Sequence, residues 1–139
     1  MHVSMTVPTE DLAAVRTIYR TLEELGYTVL SAATPTNALA QATAHRGVIH
    51  LLLTDVVMPE MSGRDLAQHI QEIRPDTKCL FMSGYAAEGI VHNDALNPGV
   101  LLLQKPFSLA ELAAKVREAL ESPHSLYRGQ ASESGEPRP

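Results

Sequence analysis

The sequence predicts an α/β fold, a doubly wound five-stranded parallel sheet with helices on both faces. Short apolar segments of strand length alternate along the chain with longer segments in which apolar residues recur at helical spacing. Five of the seven residues 48–54 are apolar, which is typical of a strand buried on both faces of a parallel sheet. Five strand–helix units in succession favour crossover connections onto one sheet.

Each element has its own signals in the chain. Strands are predicted at residues 3–7, 27–32, 48–55, 78–82 and 100–104. Helices are predicted to begin near residues 12, 35, 63, 86 and 109. Gly26 ends the first helix, Thr34 caps the second, and Ser108 with Glu111 forms a capping box for the last. The fourth helix is weak because Gly89 lies inside it. Pro8 requires the first strand to end early or bulge, because proline cannot donate to a central ladder.

Composition limits the function classes. The 139 residues fit one domain over residues 1–121, and the Ser, Pro and Gly content of residues 122–139 predicts a flexible tail. The net charge of −5 argues against a nucleic-acid partner. No apolar run reaches membrane-spanning length, so we expect no membrane insertion. A single cysteine, Cys79, leaves no intramolecular disulfide and predicts a cytoplasmic location.

Three strands end in residues that carry chemistry. Asp55, Ser83 and Lys105 follow apolar runs directly, and parallel strands bring their carboxyl ends to one edge of the sheet. The acidic pair Glu10-Asp11 follows the first predicted strand. A carboxylate at that edge can attack an electrophile or hold a metal, although a lone aspartate is more often a turn or capping residue. Taken together, the four features suit phosphoryl transfer with Mg²⁺.

Three segments carry a resemblance to a known family. LLLTDVVMPEMSGRDL, FMSGYA and LLLQKPFSLAELAAKVREAL resemble the response-regulator receiver domain of two-component signalling, most of all receivers of hybrid sensor histidine kinases. The resemblance covers residues 3–121 and implies the strand order 2-1-3-4-5. It also implies a signalling module rather than an enzyme. The phosphoryl donor would be a sensor histidine kinase or a histidine phosphotransfer protein, and a downstream protein would bind residues 86–120.

The resemblance assigns roles to individual residues. Asp55 would be the phosphoacceptor, Ser83 would bind a phosphoryl oxygen, and Lys105, before a cis Pro106, would pair with Asp55 and then with the phosphate. The expected Mg²⁺ ligands are Glu10, Asp11, Asp55 and the main-chain carbonyl of Val57.

The sequence departs from the family pattern at two places. Alignment on Arg16 makes Glu10-Asp11 the acidic pair, whereas alignment on Gly26 makes it Thr9-Glu10. Leu102 stands where many receivers carry an aromatic switch residue. These departures, with Pro8, keep open a pseudo-receiver, which would have the same fold but act as a phosphorylation-independent interaction module. A haloacid-dehalogenase-like phosphatase is disfavoured, because its second aspartate would have to stand at Val57.

Overall fold

Five parallel strands form one sheet in the computed structural model, which describes residues 1–7, 12–83 and 101–121. Their order is β2-β1-β3-β4-β5, which confirms the predicted fold class and topology. The strands are β1 (His2–Thr6), β2 (Thr28–Ala32), β3 (Leu51–Asp55), β4 (Lys78–Ser83) and β5 (Leu102–Gln104). The described helices are α1 (Leu12–Glu24), α2 (Pro35–Ala44), α3 (Gly63–Ile73) and α4 (Leu109–Glu121). The predicted helix at 86–96 and the predicted tail at 122–139 lie outside the described residues.

The uninterrupted apolar run of β3 is explained by burial on both faces of the sheet. Leu51 and Leu53 pack in one core cluster with residues of α1 and α4, whereas Leu52 packs in the other with residues of α2 and α3. All five residues of β3 are buried. Truncating a side chain such as Leu53 to alanine would cost about 2–5 kcal/mol. The strand that carries Asp55 is therefore packed against a core cluster on each face of the sheet.

β1 is an interior strand of the sheet, between β2 and β3, and it ends at Thr6. Its last residue, Thr6, pairs with Ala32 on one side and Thr54 on the other. The strand thus ends one residue earlier than predicted. The early end of the first strand that the sequence required is therefore observed, at Thr6.

The predicted helix caps at Gly26, Thr34 and Ser108 are present. Gly26 has φ +99°, and the N–H groups of Gly26 and Tyr27 close α1 by donating to the carbonyls of Glu23 and Leu22, which is a Schellman motif. Thr34 Oγ1 accepts from the N–H of Asn37. The capping box of α4 is complete in both directions, because Ser108 N–H donates to the Glu111 carboxylate and Glu111 N–H donates to Ser108 Oγ.

Three strands are shorter than predicted: β2, β3 and β5 begin at Thr28, Leu51 and Leu102, rather than at residues 27, 48 and 100. β2 begins at Thr28 because the N–H of Tyr27 is used to close α1. β5 begins at Leu102, and Leu101 joins the sheet only by accepting from the N–H of Phe81. Among the described helices, none is long and apolar enough to cross a bilayer.

Candidate functional site

Asp55 closes β3 at the carboxyl edge of the sheet, where it is 8% exposed. The chain then turns through residues 56–62 and enters α3 directly against the strand end. Gly63 makes that return possible, because its N–H donates to the Val56 carbonyl at 2.7 Å. A Cβ atom at Gly63 would lie 2.1 Å from the Asp55 carbonyl oxygen. The glycine of the Ser62-Gly63 pair therefore allows α3 to begin against the main chain of Asp55.

Lys105 meets Asp55 at the same edge. Its Nζ lies 3.0 Å from Asp55 Oδ1, and the two side chains are 39% and 11% exposed. Lys105 follows β5 directly, and its N–H donates to the carbonyl of Ser83 at 2.8 Å. The Lys105–Pro106 peptide bond is cis, as the resemblance implied. The fold thus brings a carboxylate and an ammonium group from two different strands into contact.

Ser83 is the last residue of β4, the strand between β3 and β5, and it is 1% exposed. Its neighbour Met82 pairs with Asp55, and Ser83 itself pairs with Gln104, the residue before Lys105. The predicted trio of Asp55, Ser83 and Lys105 therefore stands on adjacent strand ends. This juxtaposition follows from parallel pairing, which is why the sequence could foresee it.

Val57 lies in the loop that follows Asp55, and its side chain points outward with 55% exposure. The next residue is anchored inward, because Met58 Sδ lies 3.5 Å from the buried Thr54 Oγ1. The predicted metal ligands Glu10 and Asp11 lie outside the described residues. The choice between Glu10-Asp11 and Thr9-Glu10 as the acidic pair therefore stays open.

The donor set tests whether Mg²⁺ fits. Asp55 contributes a largely buried carboxylate, and Val57 contributes a main-chain carbonyl two residues along the chain. Carboxylate and carbonyl oxygens are the ligands that Mg²⁺ prefers. In residues 1–7, 12–83 and 101–121 no group of three or more His, Cys, Asp or Glu could hold a metal by itself. The chemistry of the described donors fits Mg²⁺, and further carboxylates would have to come from Glu10 and Asp11.

A groove of about 560 Å³ opens beside the Asp55–Lys105 pair. It runs between α1 and the start of α4, and it was not predicted from the sequence. Small residues on one face of α1 leave the space, and this i, i+1, i+4 pattern is a signal that could have been read. The lining residues are Val7, Ala13, Ala14, Thr17, Ile18, Asp55, Lys105, Pro106, Phe107 and Leu109.

The opposite edge of the sheet carries three histidines. The ring centroid of His2 lies 5.0 Å from that of His45 and 6.3 Å from that of His50. The N–H of His2 donates to Nδ1 of His50 at 3.0 Å, so this nitrogen must be unprotonated. Desolvation by burial lowers the pKa of His50 below the usual 6.5.

Known proteins with the same features are receivers of two-component systems. The response regulator receiver domain model matches residues 9–117. Sensor kinase CckA of Brucella abortus (strain 2308) is 41% identical over 102 residues, which are 73% of this chain and 11% of that kinase. The chain thus spans a small part of that relative's length. The response regulator receiver protein CpdR of the same organism is 35% identical over 105 residues, covering 76% of this chain and 86% of that protein.

Solved structures agree in fold. The receiver domain of the hybrid histidine kinase CckA superposes with a TM-score of 0.69 at 32% identity, covering 86% of this chain and 99% of that one. A CheY-like receiver domain protein from Methanospirillum hungatei JF-1 gives 0.70 at 28% identity, covering 87% and 94%. The predicted resemblance to receivers of hybrid kinases is confirmed. The family match over residues 9–117, on a five-stranded sheet of this order, shows that the chain belongs to the response regulator receiver domain family.

Proposed function

We propose that residues 1–121 form a working receiver in the cytoplasm, with Asp55 accepting a phosphoryl group from a sensor histidine kinase or a histidine phosphotransfer protein. The observation that carries the proposal is the 3.0 Å contact between Lys105 Nζ and Asp55 Oδ1 at the carboxyl edge of the sheet. A buried carboxylate paired with an ammonium group is poised for reaction with a phosphate that the same ammonium can bind.

In the transfer, one bond forms and one bond breaks. A carboxylate oxygen of Asp55 attacks phosphorus, the P–N bond of the donor phosphohistidine breaks, and the electron pair returns to the imidazole. Lys105 moves its charge from the carboxylate to the new phosphoryl oxygens, and Ser83 donates its hydroxyl to one of them. Mg²⁺, when bound through Asp55, the Val57 carbonyl and Glu10 with Asp11, supplies charge neutralisation between the approaching anionic groups.

The output in this proposal is a change in the surface formed by residues 86–120, which a downstream protein partner reads. Ser83 lies just before that stretch, and Lys105 lies within it. The N–H of Lys105 donates to the carbonyl of Ser83, so the main chain of the two residues is connected. A pull on either side chain toward the phosphoryl group would therefore be transmitted to β5 and the start of α4.

Intact-mass measurement tests the proposal. The protein is treated with Mg²⁺ and a small phosphodonor such as acetyl phosphate, and we expect the gain of one phosphoryl group. Asp55→Asn should abolish the gain, whereas Asp65→Asn, an exposed aspartate in the first turn of α3, should leave it unchanged. Full labelling of the Asp55 variant would refute the assignment. No labelling of the unsubstituted protein would favour the phosphorylation-independent pseudo-receiver.

A further inference from the structure

Glu60 occupies a strained turn in the loop that follows Asp55. Its φ is +78°, and the N–H of Met61 donates to the carbonyl of Pro59 at 2.9 Å across it. A bond between residues i and i+2 with positive φ at the centre is a classic γ-turn, which is rare and costs free energy for a residue with a side chain. Glycine would meet the backbone requirement without strain, so the glutamate side chain needs another reason.

The side chain of Glu60 reaches across to α2. Its Oε1 accepts from the Thr36 hydroxyl at 2.8 Å and lies 3.4 Å from the Thr36 N–H. Thr36 is the second residue of α2, where N–H groups lack helical partners and a negative charge is stabilising. Thr34 caps the N–H of Asn37 from within the same segment. The glutamate therefore completes the start of α2 from a position 24 residues away.

We infer that Glu60 is a positioning residue for the phosphorylation site, which acts through the main chain of the loop. The loop is fixed at its far end, where Gly63 N–H donates to Val56. Between that bond and the Glu60–Thr36 contact lies Val57, whose carbonyl is a ligand in the proposed Mg²⁺ site. A loop tied at both ends holds that carbonyl in one place, and Mg²⁺ tolerates displacement of its ligands poorly. This inference rests on the proposed function.

The experiment compares substitutions at the two ends of the contact. Thr36→Val removes the hydroxyl at nearly constant shape, and Glu60→Met removes the acceptor at nearly constant length. Thr36→Ser keeps the hydroxyl and should restore behaviour. Thr43→Val is the matched control, since Thr43 is an exposed residue of the same helix whose hydroxyl donates to the carbonyl of Leu39 within α2. The dissociation constant for Mg²⁺ is measured by titration of backbone amide resonances.

We expect Thr36→Val and Glu60→Met each to weaken Mg²⁺ binding about threefold, the size of one exposed hydrogen bond. The double variant should be no weaker than either single variant, and Thr36→Ser and Thr43→Val should match the unsubstituted protein. In the metal-free protein, Thr36→Val should also shift the amides of residues 57–61, which Thr43→Val should not.

Three outcomes would overturn the inference. Thr36→Val could bind Mg²⁺ as tightly as Thr43→Val, or the losses at Thr36 and Glu60 could add in the double variant. Either result would leave the proposed function intact and reduce the contact to a helix cap. Failure of the unsubstituted protein to bind Mg²⁺ would instead contradict the proposed function and the inference with it.

Discussion

Gly63 is the residue at which a single added methyl group should disturb the site most. Its missing Cβ would meet the main-chain oxygen of Asp55 at 2.1 Å, and main chain cannot yield as a flexible side chain can. We expect Gly63→Ala to lower the free energy of unfolding by about 3 kcal/mol, the upper end for forced overpacking. Urea denaturation monitored by circular dichroism measures the change.

Gly26→Ala is the control for that experiment. Gly26 has positive φ but open space around it, so its substitution adds only backbone strain of about 1 kcal/mol. Equal losses at the two glycines would show that α3 can shift away from Asp55 at little cost.

His50 predicts a dependence of stability on pH. Its pKa is lowered in the folded protein, mainly by desolvation, while the unfolded chain takes up a proton near pH 6.5. The unfolded state thus binds more protons in this range, so the free energy of unfolding should fall as the pH drops below about 6.5. Protonation would also remove the Nδ1 acceptor that the N–H of His2 uses.

The measurement is the urea midpoint at several pH values from about 7.5 to 5.5. His50→Asn offers an uncharged acceptor and should lose less stability over this range than the unsubstituted protein. His69→Asn, at an exposed histidine on α3, should keep the original dependence. If the urea midpoint fell equally with pH in the His50 variant and in the unsubstituted protein, His50 would not be the source of the pH dependence.

Side chains at strand ends could be foreseen from the sequence, and close approaches between distant segments could not. Asp55 and Lys105 follow apolar runs, so pattern alone placed them at one edge, and their contact at 3.0 Å agrees with that prediction. The roles of Gly63 and Glu60 depend on main-chain geometry and on a contact with Thr36, 24 residues away. Residue spacing along the chain carries no signal for either.

At the scale of elements, Arg74 joins the ends of two helices. It is the C-cap of α3, and its guanidinium donates to the carbonyls of Ala42, His45 and Gly47 at and beyond the end of α2. Carbonyls in the last turn of a helix lack intrahelical partners, and a cation there is stabilising. The arginine therefore stabilises α2 from outside that helix and ties α3 to the segment that leads into β3.

Arg74→Met should destabilise the protein by about 2 kcal/mol, because it removes charged hydrogen bonds and leaves carbonyls unsatisfied. The urea midpoint should fall with little change in slope. Arg46→Met removes an exposed arginine nearby and should have an effect within about 0.5 kcal/mol. If Arg74→Met lowered the free energy of unfolding by no more than about 0.5 kcal/mol, water would be replacing the hydrogen bonds of the guanidinium.

Element boundaries were harder to predict than element types. The capping signals at Thr34 and Ser108 placed two helix starts correctly, since each cap acts on residues within one turn. The starts of β2, β3 and β5 were placed too early. The N–H of Tyr27 closes α1 instead of entering the pairing, and Leu101 contributes a carbonyl acceptor to β4 just before β5 begins. An apolar run predicts which residues are packed, but packed residues can precede the first residue that pairs in the sheet.

At the scale of the whole molecule, the proposed function predicts a response that spreads from the site. Addition of a beryllofluoride phosphoryl mimic with Mg²⁺ should shift amide resonances through residues 86–104 and into α4, because β5 and Lys105 connect the site to that face. Two-state elements of this kind are drawn from the less stable parts of a fold. Asp55→Asn is the control and should show no such change. Shifts limited to the immediate surroundings of Asp55 would favour the pseudo-receiver.

The order of strands was the part of the architecture that residues alone left open and that the family resemblance supplied. Alternating strand and helix patterns required a parallel sheet, and they are compatible with several strand orders. The observed order puts β1 inside the sheet, between β2 and β3, although it comes first in the chain. The strand is paired on both sides as far as Thr6, which lies opposite Ala32 and Thr54, so a proline within it would remove a ladder hydrogen bond.

The two ends of the described chain leave from the edge of the sheet that faces away from Asp55. The carbonyl of Met1 accepts from Thr28 at the start of β2, and the carbonyl of Leu120 accepts from the Lys78 side chain at the start of β4. A group attached directly at residue 1 or residue 121 would therefore start from the edge of the sheet opposite Asp55. A linkage at either of these two positions would start away from the Asp55 carboxylate.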